Sequence, residues 1–228
     1  MIVVYCANQK LYSQLPTTIN SLLKNNPEVK KIYLLIEDDF IPYINHPKII
    51  FINCNQFDFL IKEGINCTRR FSYMALTRCF LSKILNEKKI IYLDVDTIIN
   101  DNLKELWNFN LGSACLAGRA EQGDYLNSGV LLMNLELIRK LNYEDTFCNL
   151  LTKCKMMYPD QDALNIIFKT SKKKLPKKFN ILGTKEPFTE KIVIRHFAGL
   201  KKPWQEGEHL NIDIELYNKY KIDYIKEE

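Results

Sequence analysis

The chain has 228 residues, 46% of them hydrophobic and 26% charged, with only eight glycines and eight prolines. These proportions exclude disorder for the bulk of the chain and any collagen-like or linker-like character, and the length allows a sizeable core without staples. A formal net charge of +5 is too small by itself to argue for nucleic-acid binding.

The seven cysteines are odd in number and form no CxxC pair, which speaks against a disulfide framework or a structural zinc site. Free thiols scattered through apolar runs fit a reducing cytoplasm. The opening MIVVYCANQK has no basic n-region, so no signal peptide is expected. No apolar run approaches the roughly 20 residues of a membrane helix, and a peripheral membrane contact stays open.

In chain order, Ile2–Tyr5 reads as a buried strand ending in a polar loop. Ser13 or Thr17 starts a helix carrying Ile19, Leu22 and Leu23, which stops near Asn25-Asn26-Pro27. Strands follow at Ile32–Ile36 and Ile49–Asn53, separated by the acidic turn Glu37-Asp38-Asp39. Strand, helix, strand at this spacing begins a parallel α/β sheet. Phe71–Leu85 is expected as a helix whose apolar arc also holds Arg78. Ile90–Leu93 is a strand, Leu103–Trp107 a helical turn and Ala114–Ala117 a strand. Asn127-Ser128-Gly129 leads into a strand at Val130–Met133. Leu135–Met156 reads as mostly helical, Asp160–Phe168 as a shorter helix and Ile192–Ile194 as a late strand. The tail after Leu210 patterns as an amphipathic helix with Ile214 and Tyr217. The one low-complexity patch is Lys172-Lys173-Lys174 with Lys177-Lys178. With no clear linker, a single domain over 1–228 is expected, with 205–228 as a short helical extension.

The sharpest chemical feature is Asp94-Val95-Asp96 at the end of an apolar strand. In extended chain, residues i and i+2 point the same way. Both carboxylates then project where open α/β sheets bind ligands, and their repulsion calls for a cation. Hard oxygen ligands suit Mg²⁺ or Mn²⁺, which could neutralise a diphosphate. The competing reading is a solvated turn, and for Glu37-Asp38-Asp39 that reading is preferred. A buried Arg78 needs an anion, either Asp94, Asp96 or a ligand phosphate, unless it snorkels to the surface. His196 follows a strand, and a lone histidine is either structural or a metal ligand. Gly199 permits close backbone approach, Lys202 supplies a point charge for phosphate, and Asp160 is also a common helix cap.

Taken in order, CANQKLY, SYMALTRCFLSKIL, IIYLDVDTII, LNSGVLLMNL, DQDALN and HFAGLKKPW resemble the family 8 retaining glycosyltransferases. The resemblance runs from residue 6 to residue 204. It implies the GT-A fold, a Rossmann-like α/β domain with a mostly parallel central sheet flanked by helices. It also implies a UDP-sugar donor, Mn²⁺ or else Mg²⁺, and a glycan, lipid-linked or protein acceptor. By resemblance Asp94, Asp96 and His196 hold the metal, with Val95 between the two carboxylates in the donor site. Ala7, Asn8 and Tyr12 match the uridine segment, and Arg78 a helix arginine near the donor. Asn127, Ser128 and Gly129 match the sugar pocket, and Asp160 and Gln161 the pair beside the anomeric carbon. Gly199 and Lys202 match the loop that closes on the diphosphate. Cys6 stands where the family usually has a small or hydroxyl residue, and one extra residue precedes Tyr12.

For such a reaction, charge develops on the departing diphosphate, where a metal ion and Lys202 would oppose it. Gln161 is a poor nucleophile, so attack from the leaving-group face is favoured and Gln161 is given a positioning role. Two other classes compete. One is a metal-dependent nucleotidyltransferase, which lacks its glycine-rich phosphate loop here. The other is a noncatalytic protein using the lysine patch at 172–178 to bind nucleic acid or acidic lipid, without interleaved aromatics.

Overall fold

In the computed structural model, residues 1–182, 191–205 and 213–226 are described. Seven strands form one sheet: β1 (Ile2–Cys6), β2 (Lys31–Ile36), β3 (Ile49–Asn53), β4 (Lys89–Leu93), β6 (Leu116–Gln122), β7 (Tyr125–Asn134) and β8 (Lys172–Lys174). Their spatial order is β3-β2-β1-β4-β7-β6-β8. The β3-β2-β1-β4 run and the β6–β8 pair are parallel, while β7 is antiparallel to both neighbours. A separate antiparallel pair joins β5 (Thr97–Ile99) to β9 (Ile194–His196).

The central strands β1, β2 and β4 read as nearly unbroken apolar runs because both of their faces are covered. Alternate residues go to opposite cores. Val3, Tyr5, Ile91 and Leu93 pack with α1 (Leu15–Asn25) on one face. Val4, Cys6, Ile90 and Tyr92 pack on the other with a helical layer, which includes α5 (Leu135–Leu141), α6 (Glu144–Lys153) and α7 (Pro159–Ile167).

Several boundaries differ from the sequence expectation. The segment expected as a helix over Phe71–Leu85 is α2 (Tyr73–Leu76), a 3-10 turn (Thr77–Phe80) and α3 (Leu81–Ile84). Phe71 precedes it and faces a cleft. The run Leu135–Met156 breaks at Asn142, whose φ of 52° is left-handed and closes α5. The strand expected at Ala114–Ala117 is β6 at Leu116–Gln122, and β9 ends two residues later than expected. Asn127, Ser128 and Gly129 lie inside β7 and do not precede it. The strands β5 and β8 were not expected. Both are three residues long, and β8 is three lysines, so hydrophobic patterning gives neither away. The C-terminal helix, α8 (Ile214–Tyr220), packs near α1, with Asn20 Nδ2 donating to Tyr220 O over 2.7 Å. Residues 211–212 of the expected tail helix lie outside the described residues. Among the described residues, no helix is long and apolar enough to cross a membrane.

Candidate active site

From β1 the chain moves outward through β2 and β3, then returns to place β4 on the other side of β1. The carboxyl ends of β1 and β4 therefore flank a topological switch point, where open α/β sheets bind ligands. A cleft of about 1180 Å³ opens there. Asp94, Asp96, Arg78, Asn127, Ser128, Asp160, Gln161, His196, Gly199 and Lys202 line it, so ten of the expected site residues come together from distant segments.

Asp94 and Asp96 do not converge by strand alternation. The chain leaves β4 at Leu93 and turns at once, with Thr97 N–H donating to Asp94 O over 3.2 Å. The turn starts β5, whose pairing sets Thr97 opposite His196. Phe197 N–H also donates to Asp96 O over 2.9 Å. This small sheet brings His196 Nε2 to 3.1 Å from Asp96 Oδ1 and 3.7 Å from Asp94 Oδ2. Ligand atoms of the three residues all lie within 4.8 Å of one another. Asp94 Oδ1 is already engaged by Tyr92 Oη and by Arg78 Nη2, each at 2.8 Å, which leaves Oδ2 facing the imidazole.

The imidazole's other side is fixed by Asn180, which is fully buried. Asn180 Nδ2 donates to Asn127 Oδ1 over 2.8 Å, so its carbonyl oxygen accepts from His196 Nδ1–H at 3.0 Å. Asn180 thus holds the ring through Nδ1, and Nε2 is left facing the two carboxylates, the ring nitrogen a metal ion would take. Gly129 makes the approach possible. A Cβ there would lie 2.1 Å from His196 Cε1 and 2.8 Å from Asp94 Oδ2. Two carboxylates and one imidazole at this spacing fit a Mn²⁺- or Mg²⁺-type ion.

Arg78 forms the floor and meets Asp94, one of the two carboxylates the sequence offered it, while its second carboxylate is Asp160 and not Asp96. Its Nη2 pairs with Asp94, its Nε lies 3.2 Å from Asp160 Oδ2, and Nη1 donates to Ser128 O over 2.9 Å. The guanidinium also lies 4.5 Å over the Tyr92 ring. Burial opposes the charge, but Asp160 and Asp94 outweigh it and hold Arg78 firmly protonated. Burial is the dominant influence on Asp160 and raises its pKa against the pull of Arg78 and Ser128. For Asp96, burial is outweighed by His196 and Lys202, which hold the carboxyl below the usual range. Lys202 Nζ bonds to Asp96 Oδ2 and donates to Phe197 O over 3.1 Å. Gln161 Oε1 accepts from Ser128 N–H at 2.9 Å and from Asn127 Nδ2 at 3.2 Å.

Five expected residues do not line the cleft. Val95 is buried in the core, and Gly129 acts as a spacer beneath the candidate metal ligands Asp94 and His196, where a sugar-pocket role was expected. Ala7 is buried at the end of β1, and Tyr12 Oη accepts from Glu37 N–H at 2.8 Å. Asn8 donates to Ser72 Oγ over 3.3 Å, but its buried Oδ1 has no partner among the described residues. An unsatisfied buried acceptor beside the switch point is what a ligand donor would complete.

The acidic turn Glu37-Asp38-Asp39 stays outside the cleft, accepting from Gln9 and Asn53. The lysine patch is largely paired: Lys172 with Asn165, Lys173 with Asn110 O, Lys174 with Asp124 and Lys178 with Glu105. That leaves little free basic surface for the nucleic-acid or lipid alternative. No glycine lies between β1 and α1, so the nucleotidyltransferase alternative gains nothing from the structure.

Sequence reasoning missed Asn180, Glu121, Arg69, Arg70 and Tyr158. Glu121 accepts from Asn127 Nδ2 over 2.6 Å, while the two arginines and Tyr158 line the rim. Asn180 carries no local signal, since its partners are 16 and 53 residues away. The Arg69-Arg70-Phe71 run was a visible signal: two adjacent cations beside an aromatic residue.

The sequence signature of glycosyl transferase family 8 matches residues 2–208. A lipopolysaccharide 1,2-glucosyltransferase of Escherichia coli is 31% identical over a stretch covering 83% of this chain and 68% of that protein. Glycosyltransferase GlyA of Streptococcus pneumoniae is 28% identical over 90% of this chain, which spans only 32% of its length. Among solved structures, galactosyltransferase LgtC in complex with donor and acceptor sugar analogs superposes with a TM-score of 0.79, at 22% identity, over 96% of this chain and 95% of that one. At that identity the likeness speaks for the fold, which is GT-A.

Proposed function

The chain belongs to glycosyl transferase family 8, and on that premise we propose that it moves a hexose, glucose or galactose, from a UDP-sugar to a carbohydrate-containing acceptor with retention of configuration. The observation that carries this reading is the convergence of Asp94 Oδ2, Asp96 Oδ1 and His196 Nε2 at the switch-point cleft. These atoms would hold a divalent ion, Mn²⁺ by preference, which when bound supplies Lewis-acid neutralisation of diphosphate charge.

The chain's own residues divide the remaining work. Asn180 and Gly129 hold the imidazole in place. Lys202, next to the same carboxylates, is a mobile cation that can turn to a leaving diphosphate. Asn8, with its unmet acceptor, and Tyr12 form the nucleoside end. Gln161 Oε1 is taken by Ser128 N–H and Asn127, so it positions the sugar and is not free to attack the anomeric carbon. This supports front-face transfer. The anomeric C–O bond to diphosphate breaks, the acceptor oxygen bonds on the same face, and its proton passes to the leaving diphosphate oxygen.

Asp94→Asn or Asp96→Asn is expected to abolish Mn²⁺-dependent UDP binding, read by calorimetry, while the melting transition persists. NMR of the first-formed product from an α-linked UDP-hexose should show an α-anomer. Wild-type UDP affinity in either variant removes the metal assignment, and a β-anomer removes retention.

A further inference from the structure

The cleft separates its charges. Near its floor the cations are matched: Arg78 pairs with Asp94 and Asp160, and Lys202 with Asp96. On the rim, Arg69 and Arg70 are exposed and have no carboxylate partner among the described residues. The turn that carries them is nevertheless held. Thr68 N–H donates to Phe71 O over 2.8 Å, and Thr68 Oγ1 accepts from Arg70 N–H and Phe71 N–H at 3.3 and 3.1 Å. Buried Asn66 staples this turn to the last turn of α6 and the chain that follows, donating to Leu151 O and Cys154 O and accepting from Met156 N–H at 3.0 Å. That second segment carries Tyr158, two residues before Asp160. The Arg70 guanidinium lies 5.0 Å from the Phe71 ring centre and 5.6 Å from that of Tyr158.

A guanidinium stacked on aromatic faces keeps its N–H edge free for an anion, and such an edge suits phosphate or carboxylate. The anion does not belong on the donor hexose, because Glu121 and Asp160 flank Gln161 where that sugar would lie. We propose that Arg69 and Arg70 recognise a negatively charged acceptor, a glycan bearing a phosphate or carboxylate near the hydroxyl that is glycosylated. The proposal rests on the glycosyl-transfer reading above and names the acceptor's chemical class.

The test compares methyl glucoside, its 6-phosphate and methyl glucuronide, and the galactose counterparts, as acceptors with UDP-glucose or UDP-galactose and Mn²⁺. UDP release above acceptor-free hydrolysis is recorded, together with calorimetric binding of each sugar to the UDP-loaded protein. One charged class should exceed its neutral parent by about tenfold in kcat/KM or affinity, the scale of one charge-assisted contact. Phosphate and uronate arms tell the two sources apart. Arg69→Gln and Arg70→Gln should erase that advantage through acceptor KM, Arg70→Lys should restore part of it, and UDP affinity should stay at the wild-type value. Equal response to neutral and charged sugars, or binding of no charged sugar, overturns the proposal. A loss of UDP affinity in the arginine variants also overturns it, by moving them to the diphosphate. Failure of the wild-type protein to bind UDP with Mn²⁺ would instead overturn the underlying transferase reading.

Discussion

Arg78 and Arg70 face the same cleft from eight residues apart in sequence, one at its floor and one at its rim. Arg78 is 6% exposed and clamps three segments: the turn after β4, the strand β7 and the first turn of α7. Arg70 is exposed and rests on two rings. The floor charge is consumed in building the site, and the rim charge is left for a ligand. A cationic residue in a cleft is therefore read by its partners and not by its sign.

The contrast can be broken most severely at Arg78. Arg78→Ala leaves Asp160 buried without its cation and is expected to cost about 3–5 kcal/mol in stability, measured by urea unfolding. The loss should depend on pH. A buried carboxyl whose folded pKa is raised costs stability above its unfolded value, near about 3.9, and the cost fades as pH falls towards that value. Removing Arg78 raises Asp160 further, so the deficit should shrink as pH drops from 7 towards 4. A pH-independent deficit would show that Asp160 is not the source.

Lys202 sits between the two extremes, cleft-lining and partly exposed. Lys202→Ala is expected to lower kcat by roughly 10²–10³ with little change in melting temperature, as for the loss of one preorganised charge-stabilising donor. Asn180→Ala should act one layer out. By releasing the His196 ring it should weaken Mn²⁺ affinity by about 10- to 100-fold in calorimetry, at constant ligand identity. At the small end, Arg70→Ala should shift stability by less than about 0.5 kcal/mol, because no buried group loses a partner. A larger shift would mean the rim arginine is structural, and the difference between floor and rim would vanish.

Much of this was legible in the chain. The β1, β2 and β4 runs were readable because strands buried on both faces must be apolar throughout, and the edge strand β3 because it is short and β-branched. Arg78 was readable as a charge on an apolar arc that had to find an anion. Asp94 and Asp96 were readable as a pair, although the reason offered, strand alternation, was replaced by a turn. Asn180 was not readable. A buried asparagine is ordinary until its partner is known to be the far side of a candidate metal ligand. Gly129 drew attention as part of a motif, but its purpose, making room for His196 and Asp94, is visible only as a contact distance.

What the sequence determined by itself was whatever short-range patterning encodes: the alternation of apolar strands and helices, the paired carboxylates at a strand's end, and an ordered set of motifs that belongs to one family. What the tertiary structure alone decided was which of those pieces meet. The three-residue strand β5 is too short to carry a pattern, yet its pairing with β9 puts His196 beside Asp96. The lysines of β8 look like a basic surface in sequence and are mostly occupied in the fold. Arg69 and Arg70 became distinct from Arg78 only once burial and partners were known. The physical reason is common to all three cases. Periodicity reports which face of an element is buried, whereas pairing and charge compensation depend on residues tens of positions away that only the folded chain brings within hydrogen-bond reach.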